Sequence, residues 1–345
     1  MNIRKLLTVA LSLLVIAGVM AGNPEKKGTA GAEELLIPVD ARGTALGGSA
    51  TASISGIDAV YWNPAGLGNS TAGVEALFSY MKYIADINIT YGAVAAKTGI
   101  GTVGVSFQSI GFGDIPITTA DSPDGTGSMY TPSYLTVGAM YSKAMTDRIF
   151  VGVNGKLVSE KIINCSASTF AFDVGVQYVT SVGLKMGVVL KNLGAPLRFD
   201  GTDLERRVSL PDVKPGTPDR NLRIVSEKYE LPSLFEIGLS YGLKPIEKTN
   251  IQIMANFRND NFANDLVTGG VEMDYNDMFF VRGGYTYSLN EGEDAAGGVT
   301  YIWGPSFGFG VKYPLTAGMK FAFDFAYRTA EYFSDNMFFT AKFLF

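Results

Sequence analysis

The sequence predicts an all-β protein, a transmembrane antiparallel β-barrel of about fourteen strands with an N-terminal plug or hatch segment, and three observations carry that prediction. First, the 345-residue chain is 47% hydrophobic and only 18% charged, against about 25% charged for soluble domains. Yet beyond its first twenty residues it has no apolar run approaching the ~20 residues that a membrane helix needs. Second, from residue 74 onward apolar residues alternate with small or polar ones at period two, as in strands with one greasy face. Third, the connections between these segments alternate: tight turns such as Thr98-Gly99, Thr146-Asp147 and Asn276-Asp277 on one rim, and long polar stretches, Gly113–Thr131 and Phe199–Glu230, on the other.

Taken in chain order, residues 1–21 read as a secretory signal peptide. Arg4 and Lys5 form the basic start, Leu6–Met20 the apolar stretch, and Val19-Met20-Ala21 a small-residue cleavage site that puts the mature start at Gly22. The stretch is too short for a spanning anchor. Cleavage leaves 26 Lys and Arg against 33 Asp and Glu, an acidic balance that argues against a nucleic-acid partner, which needs a basic face.

Residues 22–73 lack the alternation and read as the plug. Gly43, Ala45, Gly47, Gly48, Ser49 and Ala50 permit close backbone approach to a barrel wall. Pro64 disfavours helix at Asn63, and Gly66 frees the chain to turn into the first strand. Tyr61 and Trp62 call for a buried setting. About eight strands fill their own barrel and sixteen or more leave a channel, so about fourteen leave a lumen for the plug to occupy, in or under the periplasmic end.

Residues 74–345 read as the barrel, with strands near 74–84, 86–98, 100–112, 132–145, 148–162, 167–180, 183–198, 231–244, 249–260, 264–275, 278–290, 296–313, 318–331 and 334–345. Many reach the ~9–11 residues that tilted membrane strands require, longer than the usual ~5–6 of a soluble sandwich. Asp173, Glu236, Arg258, Glu272, Asp274, Arg282, Lys312, Asp324, Arg328 and Lys342 fall opposite the aromatic stripes. Charges in a membrane protein face water or each other, which assigns these to the lumen, as a conduction path or as a mutually neutralising network joining wall and plug. The chain ends Phe339-Thr340-Ala341-Lys342-Phe343-Leu344-Phe345, an aromatic last strand that looks like the signal read by the barrel assembly machinery, with Phe343 and Phe345 as its key residues.

The run Ala41-Arg42-Gly43-Thr44-Ala45-Leu46-Gly47-Gly48, followed by Tyr61-Trp62-Asn63-Pro64-Ala65-Gly66-Leu67, resembles the N-terminal region of the PorV/PorQ family. That family is related to FadL, the long-chain fatty-acid transporter, whose members have a fourteen-stranded barrel and a hatch with an Asn-Pro-Ala box. The resemblance spans nearly all the mature chain and implies a non-enzymatic protein of the bacterial outer membrane. Its leading implication is a component of type IX protein secretion or cargo attachment, with translocon or attachment subunits and secreted cargo as partners beside lipid. The alternative is FadL-like transport of fatty acids or other hydrophobic ligands.

No catalytic constellation is present. With no His, Ser-His and Cys-His pairs and His-bearing zinc sites are excluded, and Cys165 stands alone. Gly43–Gly48 has no Lys-Ser/Thr and no preceding strand, so it is no phosphate loop. The Asp-rich stretches at Asp121–Asp124 and Asp200–Asp212 match no calcium-loop pattern. Neither metal nor cofactor is expected.

Overall fold

The structure, a computed structural model, describes residues 26–208, 219–289, 301–316 and 318–345; the proposed signal peptide and the cleavage site at Ala21 and Gly22 lie outside the described residues. Fourteen long strands form the wall: β1 (Val74–Lys82), β2 (Asn88–Thr98), β3 (Gly101–Gly111), β4 (Ser133–Ala144), β5 (Ile149–Ile162), β6 (Cys165–Val179) and β7 (Leu184–Gly194). They continue as β8 (Leu234–Ile246), β9 (Thr249–Asp260), β10 (Leu266–Tyr275), β11 (Phe279–Ser288), β12 (Trp303–Thr316), β13 (Met319–Ala330) and β14 (Asn336–Leu344). Each coincides with one segment read from the alternation. Every strand pairs antiparallel with its neighbours, and β1 pairs with β14 from Glu75↔Leu344 to Lys82↔Met337, which closes the barrel and leaves no free edge.

The period-two pattern sorts the faces as lipid demands. On β6, Phe170 is 63% exposed and Phe172 55%, while Ala171, Asp173 and Gln177, on the opposite face, are buried. On β13, Ala322, Asp324, Ala326 and Arg328 point inward. Outside, Phe309, Phe325 and Phe339 pack side by side across β12, β13 and β14, with ring centroids 5.3 Å apart in each step. An exposed apolar exterior around a closed ladder is stable only against hydrocarbon, so the barrel is a membrane barrel.

The two rims differ as expected in their longest loops, although several connections on the long-loop rim, 83–87, 261–265 and 331–335 among them, are also short. The connections after even-numbered strands are tight, and the 112–132 and 195–233 loops rise from the other rim with short ladders of their own, Ile115–Pro116 on Met129–Tyr130 and Glu205–Val208 on Arg220–Arg223. The β5–β6 connection on that same rim is only Ile163-Asn164, with Ile163 left-handed at φ 53.

The plug runs the length of the lumen instead of sitting under one end. At the long-loop rim Gly31 donates to the Glu230 carbonyl at 2.9 Å, and Ala32 and Leu35 pack with Leu197 and Leu231. At the short-turn rim Gly73 and Val74 donate to the terminal Phe345 carbonyl, at 2.7 and 3.2 Å. Between them lie two short helices, α1 (Ala41–Ala45) and α2 (Ala59–Trp62), and three-residue-turn segments at Glu33–Leu36, Gly56–Asp58 and Pro64–Asn69. Helices this short have little stability of their own; side-chain caps and the wall hold them. Asp40 caps α1 by accepting from Gly43 N at 3.0 Å, and Asn63 caps the Pro64–Asn69 turn by accepting from Ala65 N at 3.1 Å.

Candidate functional site: the plugged lumen

The plug meets the wall in two chemically different ways. Toward β1–β4 the contact is apolar: Val39, Ile57, Val60 and Leu67 pack on Leu77, Tyr91, Ala93, Ala95 and Met140. Toward β7–β12 the plug backbone presses onto inward glycines that face each other across strand pairs: Gly187↔Gly238 and Gly270↔Gly284. A third pair, Gly152↔Gly175, receives the Asn63-Pro64 box on β5 and β6. A methyl at Gly187 would overlap the Thr51 carbonyl, one at Gly284 would overlap Leu46 and Gly47, and one at Gly152 would overlap Pro64. Gly47 itself adopts φ +65, and a Cβ there would lie 2.8 Å from Tyr285 N. Its replacement is excluded both by backbone and by space.

Polar side chains lock this backbone. Asn256 donates to the Gly48 carbonyl at 3.0 Å and to Thr51 Oγ1 at 2.7 Å; Thr51 Oγ1 donates in turn to Glu236 at 2.7 Å; Thr286 Oγ1 donates to the Gly47 carbonyl at 2.9 Å. Asn63 Nδ2 donates to the Thr51 carbonyl at 2.9 Å, and Gln177 to Thr51 and Ile54 carbonyls at 3.0 and 2.9 Å. Trp62 is buried and donates its indole N–H to Asp40 Oδ1 at 2.9 Å, with Tyr61 edge-on to it at 5.0 Å. Ala65 and Gly66 are likewise buried, a Cβ at Gly66 overlapping the Ile54 carbonyl.

Six charges form a closed alternating ring where plug meets wall. Arg42 forks onto Glu272 at 2.9 and 3.1 Å; Glu272 holds Arg282 at 2.5 Å; Arg282 holds Asp324 at 2.5 Å. Asp324 lies 2.9 Å from the Lys342 ammonium, at an angle poor for a hydrogen bond; Lys342 reaches Asp58 at 2.7 Å, and Asp58 returns to Arg42 at 3.5 Å. Of the other charges read as luminal, Asp173 pairs with Lys156 at 2.6 Å, Arg258 with Asp260 at 2.8 Å, and Glu236 is buried against Thr51. Lys312 and Asp274 instead serve the short-turn rim, Lys312 paired with Asp277 at 2.8 Å and Asp274 accepting from Asn250 at 2.9 Å.

Asp58, Lys156, Lys191 and the wall glycines were not singled out in the sequence. The glycines carried a signal: they sit at inward positions of the alternation, where a strand that touched only water would have no use for them. Asp40 and Glu34, both in the plug, are buried acids. Burial, and then the Asp58 carboxylate, push Asp40 up to about 7; burial, and then Glu160 of β5, push Glu34 up to about 8.

Above the plug a cavity of about 290 Å³ opens toward the long-loop rim. Tyr61, Trp62, Tyr83, Tyr301 and Trp303 line it together with Lys191 and Arg328. Lys191 stands 3.8 Å over the Tyr61 ring and Arg328 3.8 Å over Trp303. Both are buried, and neither has a carboxylate partner among the described residues. Below the plug a second cavity, about 420 Å³, opens to the short-turn rim and is lined by Arg42, Asp58, Arg282, Asp324 and Lys342. α1 and the ion ring separate the two.

The wall has a gap beside the upper cavity. β11 and β12 pair from Phe279↔Val311 only as far as Gly284↔Ser306, although β11 stays paired with β10 up to Ser288. Pro305 follows next in register, and a proline has no N–H for a central ladder. On its other side β12 slips register against β13 between Trp303 and Ser306. A cavity of about 410 Å³ lies there, and Thr286, Ser288, Tyr301, Trp303 and Gly304 line both it and the luminal cavity.

By sequence, no protein-family profile and no curated protein matches the chain. By structure it shares its architecture with transport barrels. The CymD monoaromatic hydrocarbon channel superposes with TM-score 0.54 at 10% identity, over 89% of this chain and 97% of that one. The Ralstonia pickettii toluene transporter TbuX gives 0.54 at 13%, over 89% and 98%. A Pseudomonas aeruginosa FadL homologue gives 0.54 at 10%, over 89% and 98%. At these identities the likeness is one of fold, that of a closed antiparallel β-barrel.

Proposed function

We propose that the protein is an outer-membrane channel that admits hydrophobic small molecules at the long-loop rim and releases them sideways into lipid through the gap between β11 and β12. The observation that carries this reading is the continuity of the aromatic upper cavity with the interrupted ladder at Pro305, while the straight route down the lumen is filled by the plug. An apolar solute gains by leaving toward hydrocarbon and loses by crossing the charge-lined lower cavity. Lys191 and Arg328, buried with no carboxylate ion-paired to them among the described residues, favour a solute with an apolar body and an anionic head. Residues 22–73 act as the hatch in this reading, and residues 1–21 as the export signal.

The fold neighbours named above are a hydrocarbon channel, a toluene transporter and a FadL homologue, which supports transport over secretion. The type IX reading rests on the sequence resemblance, chiefly its two-part hatch motif, and none of the fold neighbours named above is a secretion component. Uptake of labelled toluene and of a long-chain fatty acid by cells with and without the gene tests the proposal. Reduced uptake of either on deletion, restored by the gene, is expected. Unchanged uptake of both, together with co-purification of type IX translocon subunits, would overturn it in favour of secretion.

A further inference from the structure

Of the buried cations in the upper cavity, Arg258 is paired with Asp260 at 2.8 Å, and Lys191 lies in the field of Glu236 and Asp173. Arg328 of β13 has neither kind of support. It is 8% exposed, and the groups that act on its charge are the hydroxyls of Tyr61, Tyr83 and Tyr301, with no carboxylate among the described residues. Its Nε and Nη2 have no hydrogen-bond acceptor. The same two nitrogens form the fork by which Arg42 grips Glu272, Nε at 3.1 Å and Nη2 at 2.9 Å. A planar anion with two oxygens fits such an edge. Asn336, opposite Arg328 in the β13–β14 ladder, is fully buried and leaves both its amide atoms unpartnered as well. Buried polar groups are almost always satisfied, so four unsatisfied atoms on two paired residues mark a place that a ligand completes.

Beside this fork the cavity is aromatic, and a fault in the wall makes it so. Ser306 points inward, so a strict period of two would turn Trp303, three residues earlier, toward lipid. Instead Gly304 and Pro305 together stand opposite Thr329 alone, between the pairs Trp303↔Ala330 and Ser306↔Arg328. The extra residue flips Trp303 to the luminal face, where its ring lies 3.8 Å from the Arg328 guanidinium and 5.7 Å from the Tyr83 ring. Flat aromatic faces pack on a ring better than on a flexible chain. Much of the remaining lining is polar, Asn256, Thr268, Thr286 and Ser288 included. The volume, about 290 Å³, is at the small end of the ~300–1,000 Å³ of ligand pockets. A long alkyl chain would lie against hydroxyls; a single ring system would not.

We infer that Arg328, with Asn336 and Trp303, is the head-group site of this cavity and that its solute is a compact aryl carboxylate, of which benzoate is the simplest. The carboxylate accepts from Nε and Nη2 of Arg328, which a rotation of that side chain turns into the cavity it lines, and the ring lies among Trp303, Tyr83 and Tyr301. The inference rests on the transport reading above and names the solute class for the same cavity.

Trp62 and Trp303 are the two tryptophans of the chain, and both line this cavity. Tryptophan fluorescence of the purified barrel in detergent therefore reads the site directly, in titrations with benzoate, toluene and dodecanoate. Benzoate should saturate the signal with a Kd about tenfold or more below that of toluene, the share of a charge-assisted fork. R328Q should weaken benzoate by about tenfold and leave toluene unchanged. R328K keeps the charge without the fork and should recover only part of the loss. Heat-modifiability on gels verifies that the variants fold, and the comparison of benzoate with toluene on the natural protein needs no variant. Toluene or dodecanoate bound as tightly as benzoate, or benzoate affinity unchanged in folded R328Q or R328K, would overturn the site. Benzoate binding with benzoate uptake unchanged by gene deletion would keep the site and overturn the transport reading. Gene-dependent uptake of toluene without benzoate binding would do the reverse.

Discussion

Asn63 of the plug occupies the space that a side chain at Gly175 of β6 would fill. The amide uses both its donors and one acceptor site there: Nδ2 donates to the Thr51 carbonyl at 2.9 Å and the Val176 carbonyl at 3.3 Å, while Oδ1 accepts from Ala65 N at 3.1 Å. One residue thus ties an earlier plug turn, the wall and the following turn together, and the wall is bare opposite it so that it fits.

Asn63→Leu should therefore unseat the plug without preventing barrel assembly. It leaves the Thr51 carbonyl one partner poorer and Ala65 N unpaired, at about 1–3 kcal/mol for each group left unsatisfied. Gly175→Val should do the same from the wall side by steric overlap. Liposome swelling in a large sugar checks both: faster swelling with normal heat-modifiability is expected, and unchanged swelling in both variants would show that the box does not seal the lumen.

The seating of the plug should also depend on pH. Glu34 is raised from 4.5 to about 8 by burial and by the Glu160 carboxylate. Between those values the seated plug holds a proton that the released plug has lost, so the seated state weakens as pH rises from 4.5 to about 8 and levels off above. Leak through reconstituted barrels should rise across that window, and Glu34→Gln should flatten the rise. An identical pH profile in E34Q would assign the dependence to another group.

How much of this was legible in the sequence follows from what each residue reports. Strands such as β6 and β13 were readable because every second residue meets lipid, and that constraint is local and periodic. The plug box was readable as a motif, but its path was not: Gly31 meets Glu230, and Gly73 meets Phe345, contacts between distant positions that no local pattern encodes. Of the ring charges, Glu272, Arg282, Asp324 and Lys342 were visible as inward residues of the alternation, and Arg42 as part of the hatch motif. Their closure needed Asp58, which sits in an aperiodic stretch with no face to assign it to.

The gap at Pro305 makes a sharper demand. Replacing Pro305 with Thr restores an N–H and strand-compatible backbone beside Tyr285, so the β11–β12 ladder can extend past Gly284↔Ser306. Uptake of an apolar solute should then fall severalfold while ion conductance through the lumen stays the same. Equal uptake by P305T would place the exit elsewhere in the wall.

The last residue closes the barrel, and its two contributions can be separated. Its backbone continues the β1–β14 seam, with Phe345 N donating to the Val74 carbonyl at 2.9 Å and its carbonyl accepting from Gly73 and Val74. Such bonds are worth about 0.5–1.5 kcal/mol each, too little for their loss alone to unfold a closed fourteen-strand ladder. The residue as a whole is 52% exposed and lies just beyond the end of the ladder. Deleting Phe345 removes both; Phe345→Ala removes only the ring. If the ring is the assembly signal, both variants should lower the amount of folded protein in outer membranes to a similar extent, while the small fraction that folds should melt near the natural temperature in Phe345→Ala and lower in the deletion. Normal folded yield in Phe345→Ala would leave the seam as the residue's only role.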